Sequence, residues 1–311
     1  VTEPPPHGRS PMRLRPGSRV AVVAPGSTPA PAAFKMGLAA LRSAGFVPVD
    51  YVSPLTPTGY LAAPDADRAA AVIDAVRDPT IAAVLCARGG YGTMRLLPHL
   101  PYEELSRPKL VVGYSDITAL HLALYSRCGW PGLAGPMVAP DWPSLSPQRA
   151  AAFQGWTQEA AAPSPVVAGT PLVEGTVEGW LLPVNLSVLT RLLGTPYLPD
   201  LTGAILAIED VGEAPYRIDR MLCHLRLTGA LRDVGGVIGG QFTDCHPPAD
   251  QPRPTVAAVL HEAFQDAPYP VALDFPFGHG PSSGVLPVGT AVRFTVTATE
   301  TRLVFREGLV G

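Results

Sequence analysis

Val111-Val112-Gly113-Tyr114-Ser115-Asp116-Ile117-Thr118 decides how this chain reads. An apolar run stops at a glycine, a serine follows two residues later, and a helical pattern runs on from Asp116 to about Arg127. A strand that turns straight into a helix is the unit of a parallel sheet, because parallel neighbours must be reached by a crossover. Upstream, residues 81–86 form a second apolar run, which ends in Arg88-Gly89-Gly90-Tyr91-Gly92. Before it come a helical pattern over 66–77, a strand over 46–52, and a helix over 31–45 with Phe34, Leu38 and Leu41 on one face. Arg19-Val20-Ala21-Val22-Val23-Ala24-Pro25-Gly26 opens the series as a buried strand and a turn. This alternation predicts an α/β fold, a parallel sheet with helices on both faces.

Downstream the texture changes. Over 140–169 proline, alanine and serine rise and periodicity weakens, apart from one helix around 147–159. The expected division is an N-terminal domain over 13–140, a connection over 141–170 and a C-terminal domain over 171–311. Strand patterns at 204–208, 234–239, 271–275, 291–296 and 302–305, with a helix over 217–227, make the second domain a smaller, strand-rich α/β unit. Two domains suit 311 residues, and a 47% hydrophobic fraction suffices for their cores. A net charge of −3 without long runs of either sign gives no electrostatic footprint for nucleic acid or an anionic membrane. No apolar stretch approaches the roughly 20 residues of a membrane span, and residues 1–16 lack a signal peptide's apolar run, so the expected location is cytoplasmic. Residues 1–12 read as a loose arm. The four cysteines (Cys86, Cys128, Cys223, Cys245) form no C-x-x-C pair and read as free structural thiols.

Gly113-Tyr114-Ser115 resembles a nucleophile elbow, in which a sharp strand-to-helix turn exposes the serine oxygen. The N–H of Asp116 then becomes an oxyanion donor, aided by the positive end of the helix. Isoleucine at 117 replaces the second glycine of that pattern, and helix capping by Ser115 or Asp116 is the competing explanation. The glycines around Gly90 allow close backbone approach to a ligand, or merely a tight turn. A serine nucleophile needs a base and a group to orient it. Of the seven histidines, His121 and His224 read as partly buried structural residues, and His7, His99 and His261 sit in unremarked contexts. His246 follows a strand, and His279 stands between Gly278 and Gly280 in a glycine loop suited to an exposed base. Glu209 and Asp210 end a buried strand, where a carboxylate is firmly held; Glu213 and Asp219 can instead pair with Arg217 or Arg220. Arg88 is a candidate for gripping a substrate carboxylate, which arginine binds bidentately. No H-E-x-x-H or compact His/Asp cluster points to a metal, and no cofactor is expected.

Together these segments resemble the LD-carboxypeptidase family of serine peptidases, over nearly the whole chain. Leu14-Arg15-Pro16-Gly17-Ser18-Arg19-Val20, Gly59-Tyr60-Leu61-Ala62, the Arg88–Gly92 run and Gly113–Leu120 carry the first half of the likeness. Asn185-Leu186-Ser187, Gly194-Thr195-Pro196-Tyr197, Ile208-Glu209-Asp210-Val211-Gly212-Glu213-Ala214-Pro215-Tyr216-Arg217 and Phe275-Pro276-Phe277-Gly278-His279-Gly280 carry the second. The resemblance implies a Rossmann-like N-terminal domain, a smaller C-terminal domain, a homodimer, and an active site between the domains. It also implies a triad of Ser115, His279 and Glu209, with amides near Gly90 and Asp116 as oxyanion hole and Asn185 near the substrate. Family members cleave the amide before the terminal D-alanine of murein tetrapeptides in wall recycling; a related branch destroys microcin-type peptidyl-nucleotide antibiotics. Pro183-Val184, where the family pattern has two glycines, is expected to alter a loop lining the site, and Ala134 replaces a frequent histidine. A binding protein that keeps the two-domain cleft without catalysis is the reading from another class.

Overall fold

The computed structural model describes residues 10–247 and 254–311. Most of the arm read over 1–12, His7 included, therefore lies outside the described residues. The first half runs β1 (Arg19–Val23), α1 (Pro31–Ser43), β2 (Val47–Asp50), α2 (Asp65–Arg77), β3 (Ala83–Cys86), β4 (Leu110–Val112), α3 (Thr118–Cys128) and β5 (Gly132–Ala134). These strands lie side by side in the order β2-β1-β3-β4-β5, all parallel. The chain reverses its direction of travel between β1 and β3, the crevice where open α/β sheets place their ligands. The period-2 geometry of a strand shows in β1: Ala21 and Val23 pack on one face with α2 and α3, Val20 and Val22 on the other with Phe34, Leu38 and Leu41 of α1. Both faces are thus covered, as the unbroken apolar runs require.

The segment read as a connection does more than connect. Helix α4 (Pro147–Gln158) is capped by Ser146, whose Oγ accepts from the Arg149 N–H. It buries Phe153 and Trp156 in the same layer as α1, with the Phe153 ring edge-on to Phe46 and Trp142. The second half then runs β6 (Val166–Val167), β7 (Thr170–Val173), β8 (Gly175–Asn185), α5 (Leu186–Leu192), β9 (Ile205–Val211), α6 (Pro215–Leu227), β10 (Gly236–Thr243), α7 (Val256–Phe264), β11 (Val271–Leu273), β12 (Leu286–Val288), β13 (Ala291–Val296) and β14 (Thr301–Phe305). Its sheet has the order β6-β14-β13-β8-β9-β10-β11-β7, with β8 to β11 parallel and antiparallel strands on both flanks.

Strand β12 is the exception: it pairs antiparallel with β5 and completes the first sheet, although it lies late in the chain. Pro183 and Val184 are buried inside β8, in register with Ala207 and Ile208, so they form no loop beside the site. Ala134 closes β5, opposite Leu286. No described helix is long and apolar enough to cross a membrane.

Candidate active site

The carboxyl ends of β3, β4, β8 and β9 converge on one place. After β4, Ser115 adopts φ 64°, a left-handed conformation that costs a non-glycine residue about 1–3 kcal/mol. Residues 115–117 make one 3-10 turn, and α3 begins only at Thr118 rather than at Asp116. Glycine is needed at 113, because a Cβ there would lie 2.9 Å from the Ile117 side chain. It is needed again at 89, where a Cβ would come within 3.0 Å of the Ser115 Cβ. Neither the 3-10 turn nor α3 has a side-chain cap, so capping does not account for Ser115 or Asp116. The Asp116 carboxylate points the other way, accepting from the Thr93 N–H at 3.0 Å and the Thr93 hydroxyl at 2.7 Å. Burial raises its proton affinity, and the Thr93 bonds and nearby Arg68 oppose that rise.

Arg68, on α2 and fully buried, is a residue the sequence reading passed over. It donates to the carbonyls of Ala63 (2.9 Å), Gly92 (3.1 Å) and Pro25, and pairs with Asp65. One guanidinium therefore ties together the loops after β1, β2 and β3. Gly90, at φ 103°, sits in the third of these loops and packs on Ser27.

Glu209 near the end of β9 is 1% exposed, and its Oε2 accepts from His279 Nδ1 at 2.6 Å. A carboxylate can only accept, so the imidazole proton sits on Nδ1 and leaves Nε2 as a lone-pair base. Glu213, the alternative acid, faces away and pairs with Arg217 at 3.4 Å. Asn185 is the register partner of Glu209 on β8. Its Nδ2 donates to Glu209 Oε1 (3.2 Å) and Asp210 Oδ1 (3.1 Å), and its Oδ1 accepts from the Val188 N–H. Asn185 is 5% exposed, is not among the residues lining the cavity described below, and braces Glu209 and Asp210. Burial and the Glu209 charge push Asp210 up to about 6, against the bonds from Val211, Asn185 and Ser187. Burial lowers the proton affinity of His279, but the Glu209 bond and the charges of Glu209, Asp210 and Asp141 outweigh it and leave the imidazole above its ordinary value.

The His279 loop can come this close only through Gly278, at φ 140°; a Cβ there would stand 2.8 Å from the Gln241 carbonyl and 3.2 Å from the Glu209 Cβ. Gly278→Ala is accordingly expected to cost about 1–3 kcal/mol of stability, read as a lower Tm; an unchanged Tm would mean the loop relaxes without strain.

Ser115 and His279 line a single cavity of about 340 Å³, with Arg88, Gly89, Gly90 and Tyr114 as further walls. Ala30, Ala33, Met137, Ala139 and Pro140 make the remainder small and apolar. Arg88 gives one bond to the Thr28 carbonyl (3.3 Å) and has no ion pair among the described residues. His121 is buried against the Val111 carbonyl, its proton affinity pulled down to about 4 by burial, as befits a structural histidine. His224 is exposed rather than partly buried, and His246 is exposed and outside the cavity. Among the described residues, no group of three or more His, Cys, Asp or Glu could hold a metal ion. A strained serine and an imidazole bonded to a buried carboxylate, walling one cavity, can carry nucleophilic acyl transfer.

The sequence profile described as "LD-carboxypeptidase N-terminal domain" matches residues 20–135, and that described as "LD-carboxypeptidase C-terminal domain" matches 178–294. The "Probable murein peptide carboxypeptidase" of Bacillus subtilis is 35% identical over 302 residues, covering 94% of this chain and 93% of that protein. Among solved structures, muramoyltetrapeptide carboxypeptidase from Oxalobacter formigenes superposes with a TM-score of 0.83 at 30% identity, over 92% of this chain and 98% of the other. The microcin C7 self immunity protein MccF superposes with a TM-score of 0.86 at 22% identity, over 96% and 99% of the two chains, which is a likeness of fold.

Proposed function

We propose that this chain, which belongs to the LD-carboxypeptidase family of serine peptidases, removes the terminal D-alanine of murein tetrapeptides through a Ser115–His279–Glu209 triad. What carries this reading is that a serine held in a strained turn and an imidazole already bonded to a buried carboxylate wall the same small cavity.

In the proposed reaction Ser115 Oγ attacks the carbonyl carbon of the L,D-amide while His279 Nε2 takes its proton. The carbonyl oxygen becomes an oxyanion and accepts from the N–H groups of Asp116 and Gly90. Collapse breaks the C–N bond, and His279 returns the proton to the departing amine of D-alanine. An ester on Ser115 remains. Water, deprotonated by His279, hydrolyses it and restores the serine. Glu209 keeps the proton on Nδ1 throughout and stabilises the imidazolium. Arg88, which has no ion pair among the described residues, would pair with the free carboxylate of the D-alanine, and the alanines and Met137 would receive its methyl group.

Incubation with murein tetrapeptide, followed by mass spectrometry, is expected to show D-alanine and the tripeptide. Release from an aminoacyl-sulfamoyl nucleotide but not from tetrapeptide would move the chain to the antibiotic-destroying branch, and cleavage of neither would favour a binding protein. A cytoplasmic location and a homodimer complete the proposal, checked by cell fractionation and light scattering.

A further inference from the structure

We propose that Asp141, clamped by Arg149, is a positioning residue for the His279 base. The inference rests on the reading of Ser115 and His279 given above. Asp141 follows β5 in the stretch that leads to α4 and is 8% exposed. Its Oδ2 accepts from the Met137 N–H at 2.8 Å, and its Oδ1 accepts from Arg149 Nη1 at 2.8 Å and from the Tyr114 hydroxyl at 3.4 Å. Met137 and Tyr114 are both walls of the cavity. Tyr114 also precedes the nucleophile, and its ring meets the His279 ring edge-on, centroids 5.0 Å apart and planes at 72°. A single carboxylate therefore fixes the wall on which the imidazole rests.

The clamp is built to stay. Arg149 comes from α4, a helix anchored in the core by Phe153 and Trp156. The pair itself is largely shielded, with the Arg149 and Asp141 side chains 13% and 8% exposed, so their charges are screened less than a surface pair's. The charged and titratable groups around His279 are Glu209 and Asp210 from β9, Asp141 from the loop after β5, Tyr114 from the turn after β4, and the Arg88 cation, which walls the same cavity from the loop after β3 and is untouched in both variants. Glu209 touches the imidazole directly, and Asp210 shares the Asn185 brace with Glu209. Asp141 has neither link, so it works on His279 through its field and through the Tyr114 ring. Arg149, of opposite sign, offsets that field.

The two members of the pair should then move the base in opposite directions. Asp141→Asn removes an anion that favours the imidazolium, so the acid limb of the kcat/KM profile should shift to lower pH. Arg149→Met leaves that anion uncompensated and should shift the same limb to higher pH. Loosening of the wall should also lower kcat by about ten- to a hundredfold in Asp141→Asn. A merely structural staple would lower kcat and Tm in both variants while leaving the limb in place. NMR titration of His279 in the resting protein, without substrate, gives the same readout independently of catalysis. Opposite shifts support the inference; no shift, or shifts of one sign, overturns it. If Asp141→Asn fails to fold, Arg149→Met alone decides. The triad itself fails on a different result, an active Ser115→Ala.

Discussion

Ser115→Ala is expected to lower kcat about a thousandfold or more while leaving Tm close to that of the wild type. The loss follows from removing the oxygen that forms the acyl ester in the proposed reaction. The silence in Tm has a separate cause: alanine carries the same Cβ as serine, so the strain at φ 64° persists in the variant. Ser115→Gly separates the two effects. It should be equally inactive, yet glycine tolerates positive φ, so it should gain on the order of 1 kcal/mol in stability. D-alanine release and a thermal melt on the three proteins test both halves. Activity in Ser115→Ala within about tenfold of wild type would sink the nucleophile, and a Ser115→Gly variant of unchanged Tm would mean the turn stores no strain.

Glu209→Gln should also be severe, about ten thousandfold in kcat, by what loss of a triad carboxylate does to the histidine tautomer. The structure dictates which way the new amide points. Asn185 Nδ2 is a donor, because its Oδ1 is taken by the Val188 N–H, so the glutamine oxygen must face Asn185. The glutamine NH2 then faces His279 Nδ1, which can only accept. That forces the proton onto Nε2, the nitrogen that must take the serine proton. The same substitution removes the main charge that holds His279 above its ordinary proton affinity. A nitrogen-15 spectrum of the imidazole should show the exchanged tautomer. Wild-type tautomer with wild-type kcat would remove Glu209 from the mechanism.

Much of this was legible because the signals were local. Unbroken apolar runs such as 20–23 and 110–112 are buried on both faces, and the helices between them carry their period on one side. The order strand, glycine, serine, helix pointed to the sharp turn found at Ser115, and the strand end at Glu209 to a firmly held carboxylate, which bonds His279 while Glu213 pairs with Arg217. What stayed hidden was tertiary. Arg68 reads as an ordinary charge on an amphipathic helix, since nothing in its neighbourhood shows that three loop carbonyls will surround it. Asp141 fell in a stretch whose composition suggested a linker, and its importance depends on an arginine, a tyrosine and a backbone amide brought together by folding. The bond from Asn185 to Glu209 was not legible, because the register of β8 on β9 sets that partner. Pro183-Val184 looked like loop chemistry and proved to be strand interior.

The late strand β12 bears on how the chain is made. While a ribosome is still translating residues before Leu286, β5 has an open edge and the Val285 carbonyl that Trp156 will reach does not yet exist. The amino-terminal half, first to emerge, cannot close its own sheet, and the contact that closes it joins distant parts of the chain, which slows folding. An unpaired edge exposed for that long invites pairing with another nascent copy. A premature stop just ahead of Leu286 would therefore damage more than the tail it deletes: it would leave the half already synthesised with an edge to aggregate through.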